Sequence, residues 1–154
     1  MLPLWMQWVQ AIALLVIAGL GSRIAYKQAR IAVARLNFDL FDKRFAVFDA
    51  ARRMLVDVVQ SDHVDVGMVV KFNAETADAV FLFEQDVVDY LDKLRDKILL
   101  LRRLQVQEDA ADQYGQEEKR QRLVDSAADQ HIELSKELPI MIEQFKPYLK
   151  LGNI

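Results

Sequence analysis

Residues 1–22 carry no charged side chain, and residues 11–20 are almost purely aliphatic. Beyond them the apolar positions recur every three or four residues, the period of a helix, and no stretch keeps strand-like alternation. Phe38, Phe41, Phe45, Phe48, Leu55 and Val59 place an aromatic-rich stripe on one face of a first helix that reaches Gln60. Residues 61–65, Ser-Asp-His-Val-Asp, form a polar break, and Gly67 helps turn the chain. A second helix is predicted over 68–83, with Val69, Phe72, Ala77, Val80 and Phe83 on its apolar side. Glu84, Gln85 and Asp86 mark a junction, since carboxylates are favoured at a helix N-terminus. A third helix carries Val87, Leu91, Leu94, Ile98 and Leu101 at near-heptad spacing. Residues 108–115 are predicted as a loop, because they are polar and contain Gly115. The last helix starts near Gln116 and carries Val124, Leu134, Leu138, Met141 and Phe145. Pro139 should kink or restart it, and Pro147 should end it.

Stripes of this kind must cover one another, because exposed apolar surface costs about 25 cal/mol per Å². The fold class expected is all-α. An N-terminal transmembrane helix, residues 1–24, continues into a helical domain, residues 25–154, built as an antiparallel bundle of three to four helices.

The uncharged segment has the length of a membrane span, since roughly 20 apolar residues cross about 30 Å of hydrocarbon. Trp5 and Trp8 stand at one end and Tyr26 at the other, as suits aromatic belts at two interfaces. Arg23, Lys27, Arg30 and Arg35 follow at once, with no acid before Asp39. That one-sided positive flank predicts an inner-membrane, single-pass protein with its N-terminus out and its C-terminal domain in the cytoplasm. A cleaved signal peptide would open on a basic segment, which residues 1–10 lack. Ala18, Ser22, Ala25, Ala29 and Ala32 follow steps of four and three, a seam of small residues that would let two helices approach closely. Membrane lipid, a second copy of the chain and an unidentified protein are the partners expected.

Charge and chemistry narrow the picture by exclusion. The net charge is −3, against the basic face of a general nucleic-acid binder, so no nucleic-acid partner is expected. With no cysteine there are no disulfides or thiolate sites. His63 sits between Asp62 and Asp65 but has no second histidine near it in sequence, so a solvated loop histidine accounts for it. His131, beside an apolar track, reads as partly buried or capping. Asp86, Asp89, Asp92 and Asp96 are interleaved with Lys93, Arg95 and Lys97, the pattern of a salt-bridged surface. Asp39, Asp42, Lys43 and Arg44 form the most distinctive polar cluster, either a recognition patch or helix-stabilising pairs. No phosphate loop, nucleophile elbow or zinc spacing occurs, and no catalytic residue, cofactor or metal is expected.

Residues 40–45, Leu-Phe-Asp-Lys-Arg-Phe, together with Phe81-Leu82-Phe83 and a closing Phe145-Lys146-Pro147-Tyr148-Leu149, carry a resemblance. The chain resembles a widespread family of uncharacterised bacterial proteins with an N-terminal membrane helix. The resemblance implies bacterial origin, an anchor and a helical cytoplasmic domain, and no activity. The expected function is a membrane-tethered helical scaffold or protein-interaction module. The alternative is a membrane-acting effector or regulator that oligomerises through its anchor.

Overall fold

The computed structural model describes residues 3–150, and the side chains of residues 4–16 lie outside that description. The described residues form helices α1 (Leu4–Gln60), α2 (Val66–Thr76), α3 (Ala79–Leu82), α4 (Gln85–Gln113), α5 (Glu117–Ser135) and α6 (Glu137–Phe145), with no strand among them. They divide into two compact units. One holds the residues up to Asp39, and the other is Leu40–Lys150.

In the first unit every side chain from Ile17 to Val33 is exposed, including Arg23, Lys27 and Arg30, and Arg35 is exposed as well. Among the described residues no helix is long and apolar enough to cross a membrane. From Ile17 onward the bases Arg23, Lys27 and Arg30 interrupt the apolar run. Most of the predicted anchor, with Trp5 and Trp8, lies outside the described side chains.

The second unit is a helical bundle around one core. Val47, Ala51, Met54, Leu55 and Val58 of α1 meet Val69 and Phe72 of α2, six residues of α4, Leu134 of α5, and Met141 and Phe145 of α6. Five of the α4 residues are the predicted set, Val87, Leu91, Leu94, Ile98 and Leu101, all buried, and Tyr90 is the sixth. The α1 stripe is corrected. Leu55 is buried and Phe48 and Val59 pack against the core, but Phe38 and Phe45 are exposed. The buried face runs through Val47, Ala50, Ala51 and Met54 instead, where alanines admit neighbouring helices closely.

Two further boundaries differ from expectation. The helix predicted over 68–83 is broken after Thr76, whose Oγ1 donates to the Phe72 carbonyl at 2.8 Å. A single turn, α3, then buries Ala79 and leaves Ala77 and Val80 exposed. The predicted loop 108–115 is helical as far as Gln113. Alanine has the highest helix propensity, and Ala111 is buried, so tertiary packing extends α4 through a polar stretch. Gly115 then ends it at φ +64°, with its N–H donating to Asp112 O at 3.0 Å and that of Gln116 donating to Ala111 O at 2.9 Å. These two reverse-turn bonds need a left-handed residue, which glycine supplies without strain. α5 stops at Ser135, four residues before Pro139, whose ring would crowd the Ser135 carbonyl in a continuous helix.

The polar break folds as predicted. Asp65 caps α2, its carboxylate accepting from Gly67 N at 3.0 Å. A Cβ on Gly67 would stand 2.7 Å from that carboxylate oxygen, so a larger residue there would make the Asp65 side chain shift.

Candidate functional site

The first distinctive feature of the bundle is a junction of three segments far apart in sequence. Phe145 is fully buried, with Phe48 edge-on at 5.4 Å and Phe83 edge-on at 5.1 Å between ring centroids. Phe83 in turn meets Tyr148 at 5.4 Å, and the Phe48 ring leads out along α1 to Phe45 and Phe41 at 6.0 Å steps. Edge-to-face contacts of this kind add about 0.5–1.5 kcal/mol beyond area burial. Polar bonds fix the same junction. Arg44 Nε donates to the Leu82 carbonyl at 2.9 Å, and the guanidinium carbon lies 5.8 Å from the Tyr148 ring centroid. Tyr148 donates its phenol to Asp86 at 2.8 Å.

The three short motifs at residues 40–45, 81–83 and 145–149 are therefore one structural unit. Of the cluster Asp39, Asp42, Lys43 and Arg44, it is Arg44 that takes a tertiary role, 38 residues from its acceptor. Sequence spacing alone pairs such a base with its own helix, so that role was not legible there.

A second polar group joins α4 to α6. Glu137 is buried, and Lys97 Nζ pairs with its Oε1 at 2.5 Å. Tyr90 donates to Glu137 Oε2 at 3.1 Å. A third group holds the 61–65 break: the buried Gln105 amide donates to Asp62 O and accepts from Val64 N, each at 2.9 Å. No buried side-chain nitrogen or oxygen among the described residues lacks a partner. Tyr90, Gln105 and Glu137 carry no signal in the sequence, and Lys97 reads there as part of the salt-bridged α4 surface rather than as the partner of Glu137. A glutamine or an ion pair on a helix looks like surface until its partner is known.

Both tyrosines are held neutral. Burial, then the adjacent Glu137 carboxylate, pushes the Tyr90 phenol well above its ordinary value. Loss of hydration, then the hydrogen bond to Asp86, pushes Tyr148 up to about 12. The unfolded chain releases these protons near pH 10, whereas the folded chain keeps them. Their stabilisation is therefore complete below about pH 10 and is lost as pH rises beyond it. The urea midpoint is expected to fall between about pH 9 and pH 11, and less so in Tyr90→Phe with Tyr148→Phe.

The histidines are brought together more closely than their sequence distance implies. His63 and His131 line one groove of about 340 Å³ with Asp62, Gln105 and Glu108. His63 is exposed, while His131 is half-buried with its Nε2 2.9 Å from the Val59 carbonyl, to which it donates. Among the described residues no group of three His, Cys, Asp or Glu side chains could hold a metal. A second groove, about 310 Å³, runs between α1 and α2 and mixes Arg53 and Lys71 with Asp57, Asp65 and Glu75.

The acidic series on α4 is a paired surface: Arg95 bridges Asp92 at 2.8 Å and Asp96 at 3.5 Å, and Asp89 accepts from Gln85. In the first unit, Ala18, Ser22, Ala25, Ala29 and Ala32 are all exposed. Among the described residues the buried polar side chains fasten helices to one another. No protein-family model, curated protein or solved structure matches this chain.

Proposed function

We propose that this chain is a membrane-tethered helical scaffold, in which residues 1–24 anchor a bundle that presents its surface to a protein partner on the cytoplasmic side. The observation that carries this reading is the surface of α1 between Ile17 and Leu36. Ile17, Leu20, Ile24, Ile31, Val33 and Leu36 are all more than half exposed, beside Arg23, Lys27, Arg30 and Arg35. Apolar surface of that extent is costly in water, and bases next to it are drawn to anionic headgroups, at about 1 kcal/mol each. The uncharged residues before Ile17 extend the same chemistry in sequence. The polar groups inside the bundle are spent on internal bonds, which suits a rigid carrier.

The test is extraction. The chain is expected to stay in the membrane pellet through alkaline carbonate and to be released by detergent. Protease added outside intact spheroplasts should leave residues 40–150 uncut. Release by carbonate, or cleavage from outside, overturns the reading. Replacing Arg23, Lys27, Arg30 and Arg35 with glutamine should weaken the orientation.

A further inference from the structure

We infer that α1 pairs in parallel with α1 of a second copy, through a face set by Ile17, Ile24, Ile31 and Phe38. These four side chains are separated by seven residues each time. All four are exposed, at 65%, 55%, 67% and 55%. An unbroken seven-residue repeat is not the repeat of a lone straight helix. At 3.6 residues per turn such a row drifts about 20° per heptad, and only a left-handed supercoil with a partner keeps it at one interface. Leu20 and Ala34 fall three residues after Ile17 and Ile31, the second core place of the same repeat. Isoleucine fills three of the four first core places, the choice that two-stranded coils favour when leucine fills the second, as Leu20 does once.

The area is sufficient for a second copy. Complete covering of these side chains and Leu20 would bury at most roughly 600 Å² on each copy, about 1,200 Å² in all, which is the lower bound of a stable specific interface. Lys27 takes one second core place, where its stem can pack while its ammonium reaches the headgroup layer. Arg23, Arg30 and Arg35 flank the row and repel their counterparts, a cost that anionic lipid offsets. In that respect the inference rests on membrane anchoring. It also selects between faces. At 100° per residue the alanine row Ala18 to Ala32 lies roughly 130° around the helix from the isoleucine row, so the two cannot both be the seam of one dimer.

The absence of cysteine makes the test clean. Single variants Ile24→Cys, Ile31→Cys, Phe38→Cys, Ala25→Cys and Ala29→Cys of the whole chain are oxidised in intact cells with a permeant thiol oxidant. The cells are then fractionated, and dimers are read on non-reducing gels. The first three should give disulfide dimers at least fivefold above the two alanine positions. In a parallel pair, equivalent core residues come within disulfide reach at every heptad. Adding Ile31→Asp to Phe38→Cys should reduce that dimer at least tenfold, because two carboxylates would face each other in the seam. Stronger crosslinking at Ala25 and Ala29, equal crosslinking everywhere, or none at all overturns the inference. The fractionation separates it from the anchoring reading. Crosslinks at 24, 31 and 38 in a soluble chain would leave the pairing and remove the anchor, whereas a membrane-bound chain without them does the reverse.

Discussion

Replacing Phe145 with alanine is expected to lower the stability of the bundle by about 3–5 kcal/mol, the largest effect of any single truncation. The ring is fully buried and is the only group that touches both Phe48 of α1 and Phe83 beyond α3 among the aromatic pairs of the described residues. Its loss leaves a cavity that α6 cannot close, because Pro139 fixes its start and Tyr148 its far end through Asp86. Chemical denaturation of the whole chain in detergent, followed by helical circular dichroism, measures the loss. Phe145→Leu should recover more than half of it. A change below about 1 kcal/mol for Phe145→Ala would mean that the aromatic junction does not hold the bundle together.

The second large effect is expected at the Glu137 pair. Lys97→Met strands a buried carboxylate with Tyr90 as its remaining side-chain donor. Breaking a fully buried pair costs about 3–5 kcal/mol, but the Lys97 side chain is 39% exposed and water reaches that side. About 2–3 kcal/mol is therefore expected. Adding Glu137→Leu should restore most of it, since removing both charges also removes the desolvation cost, and the Tyr90 phenol keeps the Glu137 backbone carbonyl at 3.3 Å as acceptor. The double-mutant cycle is the decisive measurement. Additive effects of the two substitutions would mean that the pair is not coupled across α4 and α6.

Much of the bundle was legible because its signal is local. The α4 heptads, the polar break at 61–65, the junction at Gln85 and the restart near Pro139 each depend on residues within one turn of the feature. The errors have one origin. The polar stretch 108–113 looked like a loop because its residues lack apolar periodicity, yet Ala111 is buried and the glycine closes a helix rather than opening a loop. Ala77 and Val80 looked like core because a continuous helix would place them with Phe72, and the Thr76 break rotates the chain away from that face. The fastening groups, Arg44 to Leu82, Lys97 to Glu137 and Gln105 to residues 62 and 64, join positions 38 to 43 apart.

The sequence by itself determined the helical class, the stops at the 61–65 break and before Pro139, and the contrast between an uncharged N-terminal segment and a charged remainder. Those follow from propensity, proline and glycine chemistry and the 3.6-residue period, all of which act within a few residues. The tertiary structure alone decided which face of α1 is core, that Phe48 and Phe83 meet at Phe145, and that the polar residues inside the bundle are fasteners. Burial and hydrogen-bond satisfaction are properties of pairs of segments. No single segment carries the information about what will be packed against it.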